Sequence, residues 1–165
     1  MDRLDRRILH ELQQDGRLTN AELADRVGLT PSPCLRRVRH LEQQGVIRGY
    51  RAQLDPVAVD RGFQPFVTVV MRHEDRSTVA EFERRVAELP EVVEAHRLFG
   101  DPDYLLRIAV ADLSAYERFV TDVLSGLPGI AQVHSHLTMK QVKADRGIPV
   151  DRGLPLERGR PAERA

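Results

Sequence analysis

Apolar residues recur at spacings of three and four from the start of the chain. Leu4, Ile8, Leu9 and Leu12 share one helical face, which predicts an amphipathic helix over 2–14. "DGR" (15–17) interrupts that pattern. "TNAE" (19–22) then supplies a capping box, in which the Thr19 side chain accepts from the Glu22 N–H and the Glu22 carboxylate reaches back. Leu23, Ala24 and Val27 form the buried stripe of this second short helix, and Gly28 suits the left-handed position past its end. A third helix opens within "TPSP", with either Thr30 or Ser32 as N-cap and Pro31 or Pro33 in the first turn. Ser32 is the choice that keeps every residue before a proline out of the α region. Cys34, Leu35, Val38 and Leu41 are its apolar positions, and Gly45 ends it. Three short helices, the last two joined by a tight glycine turn, make a helix-turn-helix.

Downstream the period changes from helical to alternating. "VIRGYRAQLDP" (46–56) predicts a connecting strand. "ELPEVVEAHRL" (88–98) and "GLPGIAQVHSH" (126–136) then repeat at an offset of 38 residues. Each follows an amphipathic helix (77–89 and 113–126) and each helix follows a strand (63–73 and 104–112). The order is βαββαβ, a ferredoxin-like antiparallel sheet with both helices on one face. The other face needs cover, which points to a dimer. The expected fold class is therefore α+β. A helix-turn-helix domain spans 1–50, a linker strand 51–62 and a ferredoxin-like domain 63–143. From Asp145 the hexamer acidic–Arg–Gly–x–Pro–x repeats, so 144–165 is expected to be disordered or an extended arm over a neighbour.

Charge changes this picture because it is unevenly placed. Lys plus Arg equal Asp plus Glu at 25 each, yet 30–51 carries +4 while 52–139 carries −6. A basic island ahead of an acidic body implies a confined polyanion site. On a 100° projection, with Cys34, Val38 and Leu41 buried, the opposite face of the third helix holds Ser32, Arg36, Arg39, His40 and Gln43, flanked by Arg37. Such a helix fits the major groove, where arginine can grip guanine O6 and N7 with two bonds. Thr30, Ser32, Pro33 and Arg36 are expected near bases, and Arg37, Arg39 and His40 near phosphates. Cys34 is a packed thiol, and as the sole cysteine it cannot form an internal disulfide. With no apolar run of membrane length and no signal-peptide core, the cytoplasm is the expected location.

"LDRRILHELQQDGRLTNAELADRVGLTPSPCLRRVRHLEQQGVIRGYRAQLDP", "GDPDYLLRI", "LSAYERF" and "MKQVK" together resemble the leucine-responsive regulator/AsnC (feast/famine) family of transcription regulators, from Leu4 to Lys143. The resemblance implies a winged-helix-like DNA reader for double-stranded DNA, an amino-acid-sensing ferredoxin-like (RAM) domain, and homodimers that assemble further, commonly to octamers. It also implies an effector site at "FGDPDY": Gly100, Asp101, Asp103 and Tyr104, with Leu137, Thr138 and Met139 as lining from the same or a neighbouring subunit. From the residues themselves, Gly100 allows close backbone approach and two aspartates could take an ammonium group. The competing reading is a turn whose aspartates only accept from backbone amides.

Neither an enzyme, a cofactor nor a metal is expected. Paired carboxylates need a buried cleft for acid–base work, and His134 with His136 and the repeat-related His96 suit an ordinary sheet. The alternative function is a tetrapyrrole (sirohaem-type) decarboxylase, which shares the two-module architecture. An intact arginine face argues against it.

Overall fold

A computed structural model describes residues 1–73, 75–145 and 147–150. Two compact units emerge: 1–52 together with the described residues from Lys143 to Val150, and 53–142.

The first unit holds three helices. α1 (Arg3–Gln14) begins in a capping box of its own, with the Asp5 N–H donating to Asp2 Oδ1 at 2.9 Å and the Asp2 N–H to Asp5 Oδ2 at 2.8 Å. α2 (Asn20–Val27) starts from the Thr19–Glu22 box and stops at Gly28, φ 73°, whose N–H donates to the Ala24 and Asp25 carbonyls. α3 (Pro31–Gln43) takes Thr30 as N-cap, so Ser32 lies inside the helix ahead of Pro33. Ser32 thus departs from the pre-proline preference, but Pro33 costs the helix no hydrogen bond. Pro33 occupies the third helical position, where an N–H would have no intrahelical partner to lose. Ile8, Leu9, Leu23, Ala24, Val27, Cys34 and Leu41 form the core of this unit, and burial raises the Cys34 thiol pKa.

The expected connecting strand is absent among the described residues. Val46 and Ile47 both donate to the Leu41 carbonyl, and 56–60 forms a turn closed by the Arg61 N–H on Pro56 O at 2.7 Å. Alternating residues make a strand only beside a ladder partner, and among the described residues 46–62 finds none.

In the second unit β1 (Phe66–Met71), β2 (Val92–Arg97), β3 (Tyr104–Ile108) and β4 (Ile130–His136) pair antiparallel in the order β2-β3-β1-β4. Val67, Val69 and Met71 of β1 with Tyr104, Leu106 and Ile108 of β3 point inward. They meet Phe82 and Val86 of α4 (Arg76–Glu88) and Tyr116, Phe119 and Leu124 of the second helical segment. That segment, expected as one helix over 113–126, is three pieces. α5 (Leu113–Arg118) runs into a π turn at Phe119–Val123 and a 3₁₀ turn at Leu124–Gly126. The Leu124 N–H reaches the Phe119 carbonyl, five residues back, and the extra residue lets both Phe119 and Leu124 face the core.

Of the expected tail, 151–165 lies outside the described residues. The part before it belongs to the first unit, where Val150 packs against the helix core.

Candidate nucleic-acid interface and effector loop

Because Cys34 and Leu41 are pulled into the core, α3 turns Ser32, Arg36, Arg39, His40 and Gln43 outward. With Asp5, Leu35 and Arg37 these side chains line a concave surface of about 700 Å³. The side chains of Arg36, Arg39 and His40 make no hydrogen bond or ion pair among the described residues, so two cations and an imidazole face solvent unspent. Thr30 is exposed with its hydroxyl unused by the helix, and Pro33 is half-buried.

Arg37 is different. Its Nη1 lies 2.7 Å from Asp2 Oδ2 and 2.7 Å from Asp5 Oδ1, bridging the capping box of α1 to the middle of α3. Hydrogen bonds from the Asp5 N–H and the Arg37 guanidinium hold the Asp2 carboxyl below the usual range, and Asp5 and Asp2 raise Arg37. The sequence reading put this residue in the phosphate-facing group with Arg39 and His40. Its partners lie 32 and 35 residues away, a separation that no local pattern encodes. Asn20 was also missed: its Nδ2 donates to the Pro31 carbonyl at 2.8 Å and ties α2 to the start of α3.

In the second unit the β2–β3 connection borders an open cavity of about 770 Å³. Gly100, φ 93°, and Asp101, joined to Pro102 by a cis peptide, form its lip, and Val70 and Met71 form part of its wall. Asp101 makes no side-chain hydrogen bond among the described residues. Asp103 is engaged throughout: Oδ2 accepts the Met71 N–H at 2.6 Å, its own N–H donates to Val69 O at 3.0 Å, and its carbonyl accepts the Leu98 N–H at 2.7 Å. For this aspartate the geometry is that of a turn residue on backbone amides. Arg97, absent from the sequence expectations, lines the same cavity.

Tyr104 faces away from the loop. It is 3% exposed, its ring lies 4.7 Å from Phe82, and its hydroxyl donates to Glu83 Oε1 at 2.9 Å. Burial first, and Glu83 second, push the phenol up to about 12. Leu137, Thr138 and Met139 follow β4, whose His136 pairs with Phe66 at the start of β1, while the loop meets β1 at Val69–Met71. Three to five residues of strand, about 10–17 Å, separate the two places, so one chain does not gather both sets into one cavity. Nor do His96 and His134 converge, since β2 and β4 are opposite edges of the sheet. No group of three metal-capable side chains occurs among the described residues.

Two family descriptions match the chain: a winged helix-turn-helix DNA-binding domain over residues 1–48 and the Lrp/AsnC ligand binding domain over 64–148. The leucine-responsive regulatory proteins of Escherichia coli and Salmonella typhimurium are each 44% identical over 143 residues, 87% of this chain and 87% of theirs. A transcriptional regulator of Neisseria meningitidis, solved as an L-Met complex, superposes with a TM-score of 0.87 at 38% identity, covering 92% of this chain and 97% of that one. An AsnC family transcriptional regulator of Agrobacterium tumefaciens gives 0.86 at 42% identity over 91% and 97%.

Proposed function

The chain belongs to the Lrp/AsnC family of transcriptional regulators, and on that premise we propose which of its residues read DNA, which hold the effector and how the subunits assemble. The protein is a DNA-binding regulator with a ligand-binding domain, not an enzyme, and the tetrapyrrole decarboxylase alternative is not favoured by relatives of this kind.

Arg36, with Thr30, Ser32 and Pro33 around the first turn of α3, contacts base edges, while Arg39 and His40 contact phosphate. The observation that carries this is the pair of guanidinium groups on one exposed helix face that have no partner among the described residues. Arg37 positions α3 on α1 instead of reaching phosphate, because both its acidic partners are already within 2.7 Å. Fluorescence anisotropy on a specific and a scrambled duplex tests this assignment. Arg36→Ala is expected to cost about 1–3 kcal/mol on the specific duplex and to relax preference at one base per half-site. Arg39→Ala is expected to weaken both duplexes alike and to lower the salt slope by about 0.9 for each phosphate it no longer neutralises. An equal loss on both duplexes for Arg36→Ala would move that residue to the phosphate class.

The effector is an amino acid. The Neisseria relative holds L-Met, and the loop cavity presents the complement of a zwitterion. Asp101 takes the ammonium group, while Arg97 and the backbone about Gly100 face the carboxylate. Leu137, Thr138 and Met139 complete the site from a neighbouring subunit. Isothermal titration of L-Met and L-Leu into the assembled protein is the test, with Asp101→Asn expected to weaken binding about tenfold or more. Unchanged affinity in that variant would remove Asp101 from the site.

Dimers, and octamers built from them, are the proposed assemblies. Phe99 at the loop tip, Leu137, Met139 and Val142 are exposed apolar side chains of one unit, a burden that further copies would cover. Native mass spectrometry with and without L-Met measures the assembly directly. No helix among the described residues is long and apolar enough to cross a membrane, and work on DNA places the proposed site of action in the cytoplasm.

A further inference from the structure

From Asp145 the chain runs DRGIPV, DRGLPL, ERGRPA. The first copy lies on the N-terminal helix bundle. Its last residue, Val150, is half-buried against the cluster of Ile8, Leu9, Leu23, Ala24, Val27, Cys34 and Leu41. Gly147 passes beside the end of α1 with φ 88°, and a Cβ there would sit 2.5 Å from Gln13 Oε1. The Gly147 N–H donates to Asp145 Oδ1 at 2.8 Å.

Four positions of the hexamer, the acidic first, the glycine, the proline and the sixth, therefore have a task. The acidic side chain closes the turn, and glycine supplies the positive φ. Proline holds the chain extended ahead of the anchor. The sixth residue inserts into the rim of the core. The bundle has reason to accept such an anchor: three short helices with seven buried side chains make a small core, and small cores are marginal.

We propose that the C-terminal hexamers are tethered docking peptides for the N-terminal helix bundle, with DRGIPV seated and DRGLPL able to take the same site. DRGLPL repeats all four elements and offers Leu156 where the first has Val150. ERGRPA ends on Ala162 and carries Arg160 in place of an apolar residue, so it is a poor substitute. Sliding the chain by six residues lengthens the tether only slightly, and loop-closure entropy grows slowly with length. The occupant is the chain's own tail, because a short tether gives it an effective concentration in the millimolar range. This inference does not depend on the DNA or effector assignments.

The test is amide hydrogen exchange at Ile8, Leu9 and Leu12 of α1 in four full-length chains: the parent, Val150→Asp, Leu156→Asp, and both together. Either single substitution is expected to leave α1 protection close to the parent's, because the other hexamer fills the site. The double substitution is expected to speed α1 exchange roughly tenfold, the consequence of removing a half-buried valine or leucine anchor. Equal protection in all four chains overturns docking. A fall in Val150→Asp alone as large as in the double overturns the interchange of hexamers. Protection that rises with protein concentration overturns occupancy by the chain's own tail.

Discussion

At Arg37 one guanidinium bridges two carboxylates that also cap α1, so removing it should be felt as stability before it is felt on DNA. Arg37→Ala is expected to lower the melting temperature of the N-terminal unit while leaving the salt slope of DNA binding within error of the parent, measured by anisotropy across a salt series. A slope reduced by about 0.9 would return Arg37 to the phosphate class. The two loop aspartates separate in the same way. Asp103→Ala orphans the Met71 N–H and should cost about 1–3 kcal/mol by thermal or urea unfolding. Asp101→Asn should leave stability nearly unchanged and act on effector affinity. Tyr104 provides a titration with a definite sign. Its folded pKa is raised from 10.0 to about 12, so the neutral phenol is favoured in the folded state. That contribution is whole below about 10 and is lost as pH climbs from about 10 towards 12. Unfolding midpoints should therefore fall across that window, and Tyr104→Phe should flatten the fall.

The helices are specified by their ends, and the strands by their neighbours. Thr19 and Glu22 close a capping box that the four-residue motif already announced, and Gly28 adopts the left-handed conformation expected of it. Thr19→Ala should cost about 1 kcal/mol, and Gly28→Ala about the same or more, because alanine cannot relax at φ 73°. Circular dichroism melts of the full chain check both. By contrast, the alternation in 46–56 promised a strand that finds no ladder partner among the described residues. The π turn at Phe119–Val123 was also missed, because one inserted residue shifts the phase of a short segment without altering its apolar content.

For the whole molecule, one exposed basic helix per chain binds DNA weakly, and the symmetry of the proposed dimer would multiply it. A two-fold dimer places two α3 helices about one DNA turn apart, so half-sites about 10 bp apart, or a multiple of that, are expected in footprints. If about six to ten phosphates are neutralised per dimer, affinity should drop roughly 10³- to 10⁵-fold between about 50 and 200 mM salt. The effector can shift regulation only by binding one assembly or DNA-bound state better than another. Its coupling should lie at about 1–3 kcal/mol, read as the change in DNA affinity at saturating L-Met.

Short-range information in the chain determined the helix-turn-helix, the βαββαβ order and the outward set of α3, because each rests on residues three, four or two positions apart. The Thr19–Glu22 cap and the Gly28 turn are equally local and were legible, whereas the cap of α3 fell to Thr30 and not to Ser32. What tertiary structure decided were contacts between residues far apart in the chain: Arg37 drawn to Asp2 and Asp5, Asp103 spent on the Met71 N–H, and Tyr104 turned to Glu83. It also decided that Val150 rests on the helix core. Periodicity assigns a side chain to a face, but only the approach of another element determines whether its charge or hydroxyl remains available to a ligand.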